Sequence, residues 1–220
     1  MTCETSFTRQ CTSAPGYARR MGELPERVVL VDRDARMVAA WRQVMHDVPG
    51  VEIHHGDFFA HETDAMVAPG NSFGIMDGGL DRTIVETLGV HVERRVREAI
   101  EARHHGELHV GCAEIVSTDD RRWPWLIYAP TMRVPDDASR STNAYTAMRA
   151  ILLAVRAHVA QTAIPIQSLL CPGLCTGVGA MPPRRSAVQM RVALRQLRGT
   201  ARAGTFAEIL EAHRLMRTID

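Results

Sequence analysis

The chain has 220 residues, 45% hydrophobic and 23% charged, with a formal net charge of +1. That is enough chain to bury a core without disulfides or a metal, and bulk charge draws it neither to nucleic acid nor to an anionic membrane. All 26 basic residues are arginine, which excludes a Schiff-base lysine, a P-loop lysine and a kinase-type lysine on phosphates; a phosphate ligand must be met by arginine, backbone N–H groups or a metal.

Residues 1–25 are rich in Ser, Thr and Arg and have no periodicity. They are expected to be a flexible extension preceding a single domain over 26–220. No apolar leader stands at the start, and no stretch nears the ~18 apolar residues of a membrane span. The five cysteines, Cys3, Cys11, Cys112, Cys171 and Cys175, are odd in number and do not form a disulfide framework. A reducing, cytoplasmic setting is expected.

The first strong element is the apolar run Arg27–Asp32, read as a strand. Residues 35–45 follow with Met37, Trp41 and Met45 on one helical face. The stretch 51–55 alternates as a strand, and 63–70 carries a short buried strand ended by Pro69 and Gly70. Helices are expected over 80–89 and 91–103, and strands over 113–118 and 124–130. The clearest helix spans 142–161, where Thr142 is positioned to cap and Ala144, Met148, Ile151, Leu152 and Val155 share a face. A buried strand and turn over 165–173, a proline-started helix over 182–197 and a last helix over 205–217 complete the chain. Strands alternating with helices predict a layered α/β domain with a mostly parallel or mixed sheet. The opening β-α-β lacks G-x-G-x-x-G, so it is read as a structural unit at the sheet edge rather than a dinucleotide site.

Two glycine-rich loops, Val67–Asp81 and Cys171–Pro182, each follow a buried strand and precede a helix. In α/β sheets the crevice beyond the strand carboxyl ends is where ligands bind. Glycines there admit phosphate to backbone N–H groups, and helix N-termini favour anions. Two such loops facing one crevice would hold a diphosphate without lysine.

The stretch 56–89, with "GDFF", "TDAMVAPGN", "SFGIMDGGLD" and "RTIVETLG", resembles the macro domain, the ADP-ribose-binding module. "PGLCTGVGAMP" at 172–182 resembles that family's second signature, and the likeness spans roughly 51–200. It implies a three-layer α/β/α sandwich with a mixed central sheet. It also implies a function: binding of ADP-ribose or an ADP-ribosylated protein, nucleic acid or metabolite, with hydrolysis at the ribose anomeric carbon. That reaction would remove mono-ADP-ribose or deacylate an O-acyl-ADP-ribose. A non-catalytic reader or sensor is the alternative, and no cofactor or metal is implied. By the same resemblance Asp57 accepts from the adenine amino group and Phe58 adjoins it. Asn71, Gly78 and Gly79 meet the ribose remote from adenine, and Gly173, Cys175, Thr176, Gly177, Val178 and Gly179 belong to the diphosphate segment. Asn71 and Asp81 are the catalytic candidates, with Asp77 an extra carboxylate where the family has glycine. The chain departs from the pattern elsewhere too: Ala68 replaces an asparagine, Val85 a histidine, Gly179 the second-loop aromatic and Ala180 a glycine.

Competing constellations are weaker. His54, His55 and His61 cluster with acids, but adjacent strand residues point to opposite faces and do not share one ion. Cys175 is read as a small packed hydrophobe rather than a nucleophile, and no G-x-S-x-G elbow occurs. Arg121-Arg122-Trp123 and Arg184-Arg185 are read as solvated basic spots, the latter pair able to meet phosphate or nucleic acid.

Overall fold

The computed structural model describes residues 24–199 and 204–220. The anticipated N-terminal extension lies outside the described residues up to position 23. Leu24 packs on the core and Pro25 is buried, its carbonyl accepting from Arg198 at 3.0 Å. The elements are β1 (Arg27–Asp32), α1 (Ala35–Val44), β2 (Val51–His55), β3 (Ala65–Ala68), α2 (Gly79–Leu88), α3 (Val90–His104), β4 (Glu114–Ser117), β5 (Trp125–Tyr128), α4 (Asn143–Thr162), β6 (Ser168–Cys171), α5 (Pro183–Leu197) and α6 (Phe206–Thr218). A 3-10 turn, Phe58–Ala60, follows β2.

One six-stranded sheet runs β2-β1-β6-β3-β5-β4, parallel except for antiparallel β4. The inner strands β1, β6, β3 and β5 read as mainly apolar runs because helices cover both faces, while the edge strands β2 and β4 carry polar residues. Period-2 alternation sorts the side chains. Val28, Leu30, Val67, Leu169 and Cys171 face the layer of α1, α4 and α5, while Val29, Val31, Met66, Ala68 and Leu170 face that of α2 and α3. Met37, Trp41 and Met45 are buried as their helical spacing predicts, and so are Ala144, Met148, Ile151, Leu152 and Val155. The opening unit is not wholly peripheral. β2 is the edge strand, but β1 lies inside the sheet against β6.

A polar clip sets the register that matters most. The Asp64 carboxylate, just before β3, accepts from Gln167 N (2.9 Å), Ser168 N (2.8 Å) and Ser168 Oγ (2.9 Å) at the start of β6. With Ala65 opposite Leu169, both strands end at the same level, and their two glycine loops leave side by side.

Three local expectations are revised. Thr142 occupies the N-cap of α4, but its side chain makes no capping bond; Ser141 Oγ accepts from Asn143 N instead, at 3.1 Å. Trp123 is fully buried, its indole N–H bonded to His61 O at 2.7 Å, with the Arg122 guanidinium 4.3 Å over the ring. Arg185 is buried rather than solvated. No described helix is long and apolar enough to cross a membrane.

Candidate functional site: a cleft between two glycine loops

A cleft of about 660 Å³ opens beyond the carboxyl ends of β1, β6 and β3. All the site residues anticipated from sequence line it: Asp57 and Phe58 after β2, Asn71, Asp77, Gly78, Gly79 and Asp81 in the first loop, and Gly173, Cys175, Thr176, Gly177, Val178 and Gly179 in the second.

The first loop is built by its own polar groups. Asn71 Oδ1 accepts from Phe73 N (3.0 Å) and Ile75 N (3.4 Å), while Asn71 Nδ2 donates to Ile75 O (2.7 Å). The side-chain amide thus folds the turn and has one N–H left to offer. The buried Tyr128 hydroxyl, at the end of β5, accepts from Asn71 N and donates to Asn71 O, both at 3.0 Å. Glycine is required at position 70, because a Cβ there would run into the Tyr128 hydroxyl and the Asp81 carboxylate. Gly78 and Gly79 face open space, and no side chain caps the N-terminus of α2 that they begin.

Asp81 lies in the first turn of α2, 7% exposed. Burial, seconded by the charges of Asp77 and Glu93, pushes its carboxyl up to about 7. Asp77 is exposed at the rim. Glu93 sits behind the loop, its Oε1 accepting from Met76 N at 3.2 Å. A carboxyl group tuned this way exchanges a proton near neutrality.

The second loop has a different character. Gly173 N donates to Asp32 Oδ2 at 3.2 Å, tying the loop to the end of β1. Farther on, Ala180 N bonds to Gly177 O (3.0 Å) and Met181 N to Cys175 O (2.9 Å). Between those anchors, the N–H groups of Thr176, Gly177, Val178 and Gly179 donate to no described residue. Cys175 (φ 63) and Ala180 (φ 49) hold the left-handed conformation that bends the loop so, an unusual setting for residues with a Cβ. The Cys175 thiol is pushed up to about 12 by burial and lies against Thr131 O, consistent with packing rather than nucleophilic attack.

The missing aromatic at position 179 has a steric counterpart. A Cβ there would stand 2.8 Å from Cys175 O and 3.2 Å from both Met132 Cε and Ala138 Cβ. The wall a side chain at 179 would form is supplied instead from the segment after β5, whose Thr131, Met132 and Pro135 line the cleft. At the other end Asp57 caps the 3-10 turn and pairs with Arg33 at 3.0 Å, both more than half exposed. Such a pair contributes little stability and leaves the carboxylate accessible. Phe58 is buried in the layer of α2 and α3.

Sequence reasoning missed Asp32, Arg33, Gly70, Tyr128 and Met132. The acids ending β1 were visible, but without a glycine motif nothing marked them as part of the cleft. The His54 and His61 rings lie with centroids 4.3 Å apart, tilted by 40°, and the His55 ring lies against Arg33 O.

A mixed sheet between two helical layers, with its crevice beyond the parallel strand ends, defines an α/β domain of the macrodomain type. Residues 67–190 match the family profile described as Macro domain. The chain belongs to the macro domain family. It is similar to an uncharacterized protein of Aquifex aeolicus (31% identity over 141 residues, 64% of this chain and 78% of the relative). Among solved structures it resembles the macrodomain of Mycobacterium tuberculosis DarG (TM-score 0.52, 20% identity, 66% of this chain and 88% of that one). It also resembles a mutant Oceanobacillus iheyensis macrodomain with ADPR (TM-score 0.54, 13% identity, 88% and 94%). At these identities the likeness to solved structures is one of fold.

Proposed function

We propose that the protein binds ADP-ribose, free or as the terminal group of an ADP-ribosylated protein, nucleic acid or metabolite, and hydrolyses the bond at the ribose anomeric carbon. The observation that carries the reading is the run of four amides, Thr176 to Gly179, that donate to no described residue, in a loop lining the same cleft as a carboxyl group pushed up to about 7. Unsatisfied N–H groups on a bent loop form a cradle for a diphosphate. Asp57 accepts from the adenine amino group at one end, and Gly78 and Gly79 admit the other ribose at the far end. That an Oceanobacillus iheyensis macrodomain has been solved with ADPR supports the choice of ligand.

In the hydrolytic step a water oxygen forms a bond to the anomeric carbon as the bond to the acceptor breaks. Ionised Asp81 takes one proton from the water and passes it to the departing acceptor, which leaves with its bonding electron pair and that proton. In the deacylation of an O-acyl-ADP-ribose the same base would direct water at the ester carbonyl carbon, the acyl C–O bond breaking to give the carboxylic acid and the ribose hydroxyl, which receives the proton. A base poised near the working pH suits this task, and Asp77 raises the proton affinity of Asp81. One observation favours a binding module without turnover: the Asn71 amide is largely spent on its own turn.

Calorimetry with ADP-ribose tests binding; no heat and no thermal shift at millimolar ligand would overturn the whole reading. Release of free ADP-ribose from a modified acceptor tests turnover. Wild type should release it and Asp81→Ala should not, while still binding. Binding without release by wild type would leave the reader alone standing.

A further inference from the structure

Outside the cleft, most arginines with a clear role lie against a carboxylate: Arg27 on Glu52, Arg95 on Asp119, Arg103 on Glu114, Arg133 on Glu107 and Arg191 on Asp47. A hollow of about 480 Å³, formed where α6 meets the start of α5 and the turn before α4, breaks this pattern. Its wall is Arg140, Arg185, His213, Arg214, Arg217 and Thr218, with no acidic side chain. Arg185 forms a fixed floor, its side chain 9% exposed. It donates to Ser139 O (2.7 Å), Ile219 O (2.9 Å) and the Asp220 carboxylate (2.7 Å), so its charge is balanced and its plane held. Arg217 spends Nε on Arg140 O at 2.9 Å and keeps its terminal nitrogens.

Among the described residues, Arg140, Arg214 and Arg217 enter no ion pair. The acid that feels Arg140 is Asp137, whose carboxyl is held low first by hydrogen bonds from Ser139 and only last by Arg140. Three guanidinium groups with no ion-pair partner among the described residues, and an imidazole, therefore line one concavity, while the nearby carboxylates are taken up by Arg185 (Asp220) and Ser139 (Asp137). Repulsion among the three guanidinium groups opposes their close approach, and an incoming anion would relieve it. Guanidinium forks match tetrahedral phosphate oxygens two at a time. A space this size, with three forks at its rim, suits more than one such group.

We propose that this hollow is a second ligand site, distinct from the cleft, for a ligand presenting two or more phosphate groups. Free oligophosphate and the phosphates of a polynucleotide offer the same chemistry. The hollow and the cleft share one turn. Ala138 N donates to Gly179 O on the cleft side at 2.9 Å, while Ser139 O and Arg140 O receive the arginines on the other. The proposal stands whether or not the cleft binds ADP-ribose.

The test measures binding of tripolyphosphate, and separately of a labelled single-stranded oligonucleotide, to the full chain at low salt. Arg140→Gln/Arg214→Gln should weaken binding at least tenfold. Both side chains are exposed, so the fold should be kept, and Arg217→Gln gives an independent second variant. Arg82→Gln/Arg94→Gln removes the same charge from α2 and α3 and should leave binding unchanged. Loss confined to tripolyphosphate assigns a free oligophosphate; loss confined to the oligonucleotide assigns a strand; loss of both assigns a site shared by the two. No binding of either probe, or equal losses in the hollow and control variants, would overturn the proposal.

Discussion

Replacing Asp81 by Asn removes a titrating group from a site that resists its ionised form, and the size of the effect follows from the burial. In the unfolded chain the carboxyl ionises near the ordinary aspartate value of 3.8; in the fold burial pushes it up to about 7. A group whose pKa is raised on folding lends stability that is fully present below the unfolded value and is lost as pH climbs through the folded one. At about 1.4 kcal/mol per pKa unit, ionisation should cost the wild type about 2 kcal/mol at pH 5 and about 4 kcal/mol at pH 8. Asn does not titrate, so whatever packing change it introduces is the same at both pH values and cancels. The stability advantage of Asp81→Asn over wild type should therefore grow by roughly 2–3 kcal/mol from pH 5 to pH 8. In a thermal melt that is a widening of roughly 5–10 °C in Tm difference. Urea denaturation across the same range gives the free energies directly. A Tm difference that stays flat with pH would refute the reasoning, since it would mean that Asp81 ionises in the fold as it does in water. In turnover assays the same carboxyl should appear as a rise in rate through about pH 7, absent from the variant.

Other expectations follow from single contacts. Gly70→Ala places a methyl group on the Tyr128 hydroxyl and the Asp81 carboxylate; it should cost about 1–3 kcal/mol by chemical denaturation and weaken ADP-ribose binding. Ala180→Gly relieves a left-handed residue on an exposed part of the loop. The steric relief exceeds the added unfolded-state entropy, so stability should rise by about 0.5–1 kcal/mol, read as a Tm gain of roughly 2 °C. Asp64→Ala removes three hydrogen bonds that align β3 with β6; a loss of roughly 2–3 kcal/mol is expected, and Asp64→Asn should lose less.

What the sequence could reveal divides along physical lines. The apolar run Val28–Val31 and the helical spacing of Met37, Trp41 and Met45 are local patterns, and both are buried in the fold. The glycine loops were legible for a related reason: close backbone approach demands glycine whatever lies opposite. The contacts that decide the cleft are of another kind. Tyr128 reaches Asn71 across two adjacent strands, and Met132 fills the space beside Gly179 from another segment. Neither leaves a local mark. The proton affinity of Asp81 is likewise a property of the burial around it, not of the helix start that its position announces. Asn71 is marked in the sequence by the family resemblance, but its bonds to Phe73 and Ile75 follow from the turn it makes.

The all-arginine composition predicts how the cleft should respond to salt. Asp32, Asp34, Asp57 and Asp77, joined by Asp81 when it is ionised, line it against Arg33 alone, and Arg33 is paired with Asp57. Its long-range field therefore repels a diphosphate. Attraction must come from the short-range N–H donors of the second loop, which salt hardly screens. Raising ionic strength from about 50 to about 500 mM should leave ADP-ribose affinity unchanged or strengthen it by up to about threefold, as the repulsion is screened. The hollow beside α6 should show the opposite sign, because guanidinium–phosphate attraction weakens as salt rises. Calorimetry at the two salt concentrations reads both sites in one molecule. A tenfold loss of ADP-ribose affinity at high salt would show that arginine, and not the amide cradle, holds the diphosphate.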